Sequence, residues 1–413
     1  MYRVLCKYWV IVIIIGISSN KLKSQSLEWG WSMETDEVTK IITDAQENIY
    51  MIGSFFDTVN INPLGNSHHL YSSSSNYGEF LAKYDYTGNL LWGVSFGNYP
   101  NGMAYINDAE TDSIGNIIIT GSYWGTIDFN PSPNIITNLN SVSSSSLGHS
   151  IFIAKYDVNG NLLWAKNIST YGNEIPEAIT TDKIGNIIIT GRFGGTVDFD
   201  PDTSSIYNIT NTIGYYNNIF ILKLDYNGNF IWVKQVGGGQ VNDEQVTAIT
   251  HDDKNNLYLT GYFYGHANFE TDTNSTFFLI ANSQKDAFLL KLSPLGDMVW
   301  AKAISSPGNF MSHELGIDLK INSKEEIYIT GLYNSVVDID PSSNVQNILS
   351  NGGRDIFLCK YDKAGNLIWG TTIGGVQDDY VSSLVLDSEE KIYIYGTFSG
   401  SNDFDYSSGV DSF

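Results

Sequence analysis

The sequence predicts an all-β fold, a β-propeller of four-stranded antiparallel blades that number about six, or seven in a complete ring. Three observations predict it. One hairpin pattern recurs along the chain, a second strand pair follows each copy, and the composition favours strands. The 413 residues include 39 Gly, 26 Tyr, 20 Phe and 9 Trp. These residue types are common in strands and tight turns.

The recurring hairpin joins two predicted strands through a turn that reads D-x-x-G-N in four of its copies. Asp accepts backbone hydrogen bonds at the entrance of such a turn, and Gly supplies the positive φ of a short hairpin loop. A calcium loop begins similarly but needs a bidentate acidic residue at its twelfth position, which is absent here. The five explicit hairpins span residues 80–93, 151–166, 219–234, 287–302 and 356–371.

The second strand of each hairpin carries a tryptophan. Trp92, Trp164, Trp232, Trp300 and Trp369 recur at intervals of 68 to 72 residues, and Trp29 precedes the first of them by 63. A row of aromatic rings can stack on sugars, but the same placement in every copy favours a role in docking neighbouring blades. We therefore predict that all six tryptophans are structural.

A second strand pair recurs between the hairpins, at residues 41–55, 109–123, 178–193, 248–263, 319–333 and 384–398. Its continuous apolar runs, such as residues 187–189, indicate strands that are buried on both faces. Each unit thus offers four strands, and such a sheet buries both faces only by stacking against copies of itself. Radial stacking leaves short edges, which favours a propeller over a solenoid or a sandwich.

The N-terminus has the layout of a secretory signal peptide, with Arg3 and Lys7 before the apolar run of residues 9–17. The run is shorter than the roughly 20 residues that cross a membrane, so we predict cleavage and no transmembrane anchor. The domains are then the signal peptide, 1–25, and the propeller, 26–413. Cys359 is the only cysteine left after cleavage, which excludes an internal disulfide and fits a small buried hydrophobe.

The charge balance is strongly acidic. The net charge of −23 becomes −27 when residues 1–25 are removed, because they contain four basic residues and no acidic ones. A surface of this charge repels phosphate backbones, so nucleic acid is excluded as a partner.

Polar inserts such as GTVDFDP (residues 195–201) separate the two strand pairs and are predicted to form loops or short hairpins on one rim. Two of them hold carboxylates two residues apart, which would project from one face of a strand. Calcium takes six to eight oxygens, and Asp before Pro is also ordinary turn chemistry, so a calcium site and a structural role both stay open. The candidate calcium ligands are Asp198, Asp200, Asp338 and Asp340.

The pattern D-x-F-x-x-K-x-D-x-x-G-N-x-x-W, followed by D-x-x-G-N-x-x-x-T-G, resembles the bacterial SBBP β-propeller repeat over nearly all of residues 27–413. The resemblance implies an exported propeller of the kind found in Bacteroidetes, with no established catalytic residues. The Trp-ended hairpin is also distantly similar to the tryptophan-docking repeat of quinoprotein dehydrogenases. Those enzymes use a disulfide between adjacent cysteines, which the mature chain cannot form.

No catalytic motif stands clear of the repeat. We therefore predict a secreted or cell-surface, non-catalytic module that binds or scaffolds a protein or glycan partner. The alternative is an extracellular hydrolase or lyase acting on polysaccharide, whose two carboxylates could come from distant blades. The sequence ends with VDSF (residues 410–413), which aligns with the start of another hairpin, so we expect an incomplete last blade.

Overall fold

A computed structural model describes residues 9–11, 32–35, 37–62, 64–72, 77–96, 102–132, 134–142, 148–168, 174–211, 217–238, 244–272, 274–308, 312–399 and 402–403. These residues form β-strands and no helix, which confirms the predicted all-β class. Contacts divide the chain into two compact units, 1–176 and 177–413.

The first unit contains thirteen strands and the start of a fourteenth. They are β1 (Trp9–Ile11), β2 (Ser32–Glu34), β3 (Glu37–Thr43), β4 (Ile49–Phe56), β5 (Thr58–Asn60), β6 (His69–Tyr71), β7 (Tyr77–Tyr84), β8 (Leu90–Phe96), β9 (Gly102–Thr111), β10 (Ile117–Asp128), β11 (Asn138–Asn140), β12 (Ser150–Tyr156), β13 (Leu162–Ile168) and β14 (Ile175–Thr181).

The second unit continues from β14. Its strands are β15 (Ile187–Phe193), β16 (Thr196–Asp198), β17 (Asn208–Thr210), β18 (Asn218–Leu224), β19 (Phe230–Val236), β20 (Gln245–His251), β21 (Leu257–Phe263), β22 (His266–Asn268), β23 (Phe278–Ile280), β24 (Asp286–Leu292), β25 (Met298–Ile304), β26 (Leu315–Ile321), β27 (Ile327–Asp338), β28 (Asn347–Tyr361), β29 (Leu367–Gly375), β30 (Tyr380–Leu386), β31 (Ile392–Thr397) and β32 (Asn402–Asp403).

In each repeat four long strands form one antiparallel sheet, which is the predicted blade, and the short strands of the insert lie between the second and third of them. We name the sheets I (β3-β4-β7-β8), II (β9-β10-β12-β13), III (β14-β15-β18-β19), IV (β20-β21-β24-β25) and V (β26-β27-β28-β29), and the final pair β30-β31 sheet VI. The strand β32 adds to β29 at the outer side of sheet V. The segment predicted as a signal peptide contributes β1, which pairs with β2.

Neighbouring sheets within a unit pack face to face. In the first unit, Ile52 and Leu81 of sheet I share a core with Ile119 and Phe152 of sheet II. In the second, one core joins sheets III and IV, another joins IV and V, and smaller ones join V and VI. Because both faces of an inner sheet are covered, its central strands read as continuous apolar runs.

The strand order gives every sheet two distinct ends. The first end, the turn edge, holds the short turns that join the first strand to the second and the third to the fourth. The opposite end, the insert edge, holds the inserts between the second and third strands. As predicted, the inserts are short hairpins, seen in the pairs β5-β6, β16-β17 and β22-β23 and in extensions of β10 and β27.

Candidate functional site

The turns of the turn edge are closed by their own residues. Asp157 Oδ1 accepts hydrogen bonds from the backbone N–H groups of Asn159 and Asn161, both at 2.9 Å. The side chain of Asn161 donates to Asp157 Oδ2 at 2.9 Å, and Gly160 has φ +82. The same bonds recur at Asp85, Asp225 and Asp362. These carboxylates hold turns, as the sequence predicted.

A lysine in the third strand of each sheet lies next to a carboxylate from the first turn of that sheet. Lys155 Nζ is 2.9 Å from Asp112 Oδ2, and both side chains are nearly inaccessible. Burial by itself would raise the pKa of Asp112, but hydrogen bonds from Lys155 and Asn116 outweigh it and lower that pKa. The other pairs are Lys83–Asp44, Lys223–Asp182, Lys291–Asp252 and Lys360–Glu326.

The repeated tryptophans stand opposite these lysines on the fourth strand. Trp92 pairs in register with Lys83, and its Nε1 donates to the carbonyl of Val158 in the next sheet at 3.0 Å. A Cβ built on Gly160 would lie 2.8 Å from the Trp92 ring. These contacts fit the predicted docking role of Trp92, which stays a prediction.

The other tryptophans occupy the same register position. A Cβ on Gly296 would lie 3.0 Å from Trp232, and one on Gly365 would lie 3.2 Å from Trp300. Trp164, Trp232, Trp300 and Trp369 are half-buried. Trp29 lies outside the described residues.

The candidate calcium ligands lie on the insert edge, where their oxygens accept hydrogen bonds from the insert itself. Asp198 Oδ1 accepts from the backbone N–H groups of Asp200 and Tyr207 at 3.1 and 2.7 Å. Asp200 accepts from Asp202 N and Ser205 Oγ at 2.9 and 2.6 Å.

Asp338 and Asp340 repeat this arrangement in sheet V. The apolar residues between the carboxylates, such as Phe199, are buried. Over the ranges that the structure describes, no group of three or more His, Cys, Asp or Glu is placed to hold a metal ion. The calcium site stays a prediction.

The insert edge of sheets V and VI carries a cleft of about 490 Å³. It is lined by His313, Asn334, Ser335, Gly352, Gly353, Arg354 and Asp378. These come from the start of sheet V, the end of its second strand, the middle of β28 and the approach to sheet VI. Such a volume is within the range of roughly 300 to 1,000 Å³ typical of small-molecule sites.

Backbone contacts fix the shape of the cleft. His313 N donates to Asn334 Oδ1 at 2.8 Å, and Arg354 N donates to Asp378 Oδ1 at 2.8 Å. A Cβ on Gly353 would lie 2.3 Å from Asp378 Oδ1, so a larger residue there would require that carboxylate to move. Ser335 has φ +75 at a register shift in the β27–β28 pairing. The shift turns Asn334 and Ser335 to the cleft.

The charges around the cleft include two cations. The Arg354 guanidinium lies over the ring of Tyr380, 5.4 Å from its centroid. Lys285 Nζ lies 4.4 Å from the ring centroid of Tyr262, and the Lys285 backbone bridges to His313. Burial and then the charges of Lys285 and Arg354 lower the pKa of His313. This shift favours the neutral form of the imidazole.

Buried carboxyl groups lie behind the cleft, at the junction of sheets IV and V. Ser283 Oγ is 2.7 Å from Glu314 Oε2 and also contacts Asp286 Oδ1. Burial raises the pKa of Glu314 to about 8, and the neighbouring charge of Asp286 adds to that effect. Glu314 is completely inaccessible, so it supports the cleft and cannot touch a ligand.

The sequence prediction missed the residues of this cleft. They come from four separate segments and form no linear motif. One signal for Arg354 was available in the sequence, namely the rarity of arginine. The whole chain contains three arginines, Arg3, Arg192 and Arg354. Two other predictions are confirmed. The carboxylates of the D-x-x-G-N turns bond to their own turns, and Cys359 is fully buried.

Residues 231–269, from the fourth strand of sheet III to the insert of sheet IV, match the SBBP family, described as a β-propeller repeat. These residues carry an SBBP β-propeller repeat. The match confirms the family resemblance and the propeller class.

Two curated relatives resemble parts of this chain. An uncharacterized WD repeat-containing protein of Acanthamoeba polyphaga mimivirus is 26% identical over 325 residues, covering 69% of this chain and 23% of the relative. The regulatory protein FlaEY of Caulobacter vibrioides is 25% identical over 134 residues, covering 32% and 14%. The matches thus span less than a quarter of either relative.

Solved structures give weaker matches. A protein of unknown function from Bacteroides caccae has a TM-score of 0.32 at 10% identity, covering 71% of this chain and 89% of its own. A mutant of the NanB sialidase from Streptococcus pneumoniae has a TM-score of 0.31 at 8% identity, covering 93% and 67%. Scores this low carry no functional argument. Within the described ranges, no helix is long and apolar enough to cross a membrane.

Proposed function

We propose that this propeller is an exported, non-catalytic module that binds a partner at the insert edge, outside the cell or at its surface. The observation that carries the proposal is the cleft at sheets V and VI. It offers a polar, preformed recess of about 490 Å³ on the edge where the repeats differ from one another. Variable loops on a rigid scaffold are where binding residues concentrate.

The two edges differ in how their polar groups are used. At the turn edge, carboxylates such as Asp157 and Asp182 are saturated by hydrogen bonds from their own turns and by buried lysines. At the cleft, Arg354 and His313 lie at the surface of the recess, and both are partly exposed. Polar groups that are exposed to water can exchange that water for a ligand at a low cost in free energy.

A binding screen tests this function. The purified protein would be applied to an array of bacterial and plant glycans and of cell-surface proteins. The variants are His313→Ala with Arg354→Ala, and Lys363→Ala as a control that removes a cation from the turn edge of the same sheet. We expect a ligand whose binding is lost in the double variant and kept in Lys363→Ala. Release of sugar from a polysaccharide without stable binding would contradict the proposal and favour a hydrolase or lyase.

Export is tested separately. Expressed from its full sequence in a bacterium, the protein should be recovered outside the cytoplasm with an N-terminus near residue 25, because residues 1–25 have the layout of a cleavable signal. N-terminal sequencing of each fraction reads this directly. A chain that keeps Met1 and stays in the cytoplasm would contradict export. The binding proposal does not depend on this result, because the binding screen tests it separately.

A further inference from the structure

Arg354 has no carboxylate within ion-pairing distance of its charged group among the described residues, whereas most cations of the second unit do. Arg192, the other arginine of that unit, lies 3.3 Å from Glu177. The third-strand lysines are each within 4.0 Å of an acidic side chain. Among the described residues, no ion pair is formed by the Arg354 guanidinium; the neighbouring Asp378 is held by Arg354 through its backbone N–H.

Lys285 is a second cation near the cleft whose charged group has no acidic partner among the described residues. Its ammonium group lies over the rings of Tyr262 and Tyr264, at 4.4 and 5.3 Å from their centroids, and forms no ion pair within the described ranges. Lys285 and Arg354 each directly precede a buried acid of a third strand, Asp286 in β24 and Asp355 in β28. The charges of Lys285 and Arg354 both lower the pKa of His313, after the larger effect of burial.

A chain with a net charge of −23 therefore keeps two unneutralised cations beside one recess. Guanidinium groups bind carboxylates through two parallel hydrogen bonds, and such charge-assisted bonds are about twice as strong as neutral ones. The ring of Tyr380 beneath Arg354 limits the positions of the guanidinium before a ligand arrives. The recess therefore offers a positively charged, partly fixed group to which an anion can bind.

The walls of the recess indicate what carries that anion. Among the described residues, its lining consists of polar side chains and glycines. A hydroxyl-rich ligand would find hydrogen-bond donors and acceptors there, including Asn334, Ser335 and the exposed carboxylate of Asp378.

We infer that the cleft binds an acidic saccharide, with Arg354 pairing with its carboxylate and Asp378 accepting hydrogen bonds from its hydroxyl groups. The inference rests on the proposed binding function and names the ligand class for it. Lys285 adds long-range attraction from the neighbouring sheet. His313 supplies a ring nitrogen as a hydrogen-bonding group.

Calorimetric titration tests the ligand class. The titrants are oligosaccharides of glucuronic acid, neutral glucose oligosaccharides of the same length, and an oligoglutamate peptide of matched charge. The proteins are the full chain, Arg354→Ala, Arg354→Lys and the Lys363→Ala control. Thermal melting of every variant confirms that its fold is intact.

We expect the acidic saccharide to bind at least tenfold more tightly than the neutral one and more tightly than the peptide. Arg354→Ala should weaken it about tenfold or more, Arg354→Lys less, and Lys363→Ala not at all. Equal affinity for acidic and neutral saccharides, tighter binding of the peptide, or binding that ignores Arg354→Ala would each overturn the inference. The proposed function would then still stand if its own screen found another ligand lost on cleft substitution.

Discussion

Trp92 donates a hydrogen bond from Nε1 to the carbonyl of Val158, 3.0 Å away, across the junction of sheets I and II. The acceptor belongs to the D-x-x-G-N turn of the next sheet, and Lys83 Nζ approaches the same carbonyl at 3.5 Å. In the second unit Lys223 Nζ approaches the corresponding carbonyl, that of Pro294, at 3.4 Å. The two best-kept motifs of the repeat, the turn and the tryptophan, therefore meet each other across a sheet junction.

Replacing this tryptophan should destabilise the protein. The Trp92 ring is half-buried, so Trp92→Ala should lower the free energy of unfolding by about 3 kcal/mol, the lower end for large aromatic truncations. Trp92→Phe keeps a ring and loses the hydrogen bond, so it should cost about 1 kcal/mol. Urea unfolding followed by fluorescence measures both values. An unfolding midpoint unaffected by Trp92→Ala would rule out the docking role.

A second prediction concerns the glycine that faces this ring. Gly160→Ala should be destabilising by more than about 1 kcal/mol, because Gly160 has φ +82 and a Cβ there would lie 2.8 Å from the Trp92 ring. In a double-mutant cycle with Trp92→Ala, the steric part of that cost should disappear. Strictly additive free energies would mean that the two groups do not contact each other.

The buried lysines give a third prediction. Lys223→Met leaves the inaccessible carboxylate of Asp182 without its cation and should cost about 3 to 5 kcal/mol. Lys183→Met, which breaks an exposed pair with Asp253, is the matched control and should cost less than about 1 kcal/mol. Chemical denaturation of both variants compares them. Equal costs would show that burial of the Lys223 pair has no energetic consequence.

These lysines also show where sequence reasoning stopped. The repeat period, the turns and the apolar runs are local signals, so the sheets were predicted strand by strand. Lys155 and Asp112 lie 43 positions apart in the chain, and a charged residue in an alternating strand is normally read as exposed. Its burial follows from the register between β10 and β12 and from the covering sheet, which sequence spacing does not contain.

The cleft was unpredictable for a related reason. His313, Asn334, Arg354 and Asp378 are brought together by the register shift at Ser335 and by the approach of sheet VI. Each residue alone reads as a loop residue. The carboxylates at Asp198 and Asp338 did form a linear pattern, and the structure uses that pattern to hold backbone N–H groups of the inserts.

The buried acid behind the cleft gives a pH-dependent prediction. The pKa of Glu314 is about 8 in the folded protein, above its ordinary value near 4.5. The unfolded state therefore releases its proton first, and stability from this group is greatest below pH 4.5 and is lost as the pH rises to about 8. The loss approaches 1.4 kcal/mol per pH unit within that window.

Glu314→Gln removes this titration and keeps a side-chain oxygen that can accept the hydrogen bond from Ser283 Oγ. The variant should gain stability relative to the wild type between pH 5 and pH 8, measured by urea unfolding at both values. Glu47→Gln, at an exposed turn residue, is the control and should keep the wild-type dependence. If the pH dependence of Glu314→Gln equals that of the wild type, the group is not protonated in the folded protein.

The paired insert carboxylates allow the structural and calcium interpretations to be separated. Asp198→Ala removes the acceptor for two backbone N–H groups and should cost about 1 to 3 kcal/mol whether or not calcium is present. Asp198→Asn keeps an acceptor oxygen at the same place and should cost less. Thermal melting with 5 mM calcium and with a chelator, for the wild type and both variants, makes the comparison at about the concentrations that weak extracellular calcium sites require. Melting temperatures that ignore calcium in all three proteins fit the hydrogen-bonding role. A rise with calcium in the wild type that is absent in Asp198→Asn would instead establish the predicted calcium site.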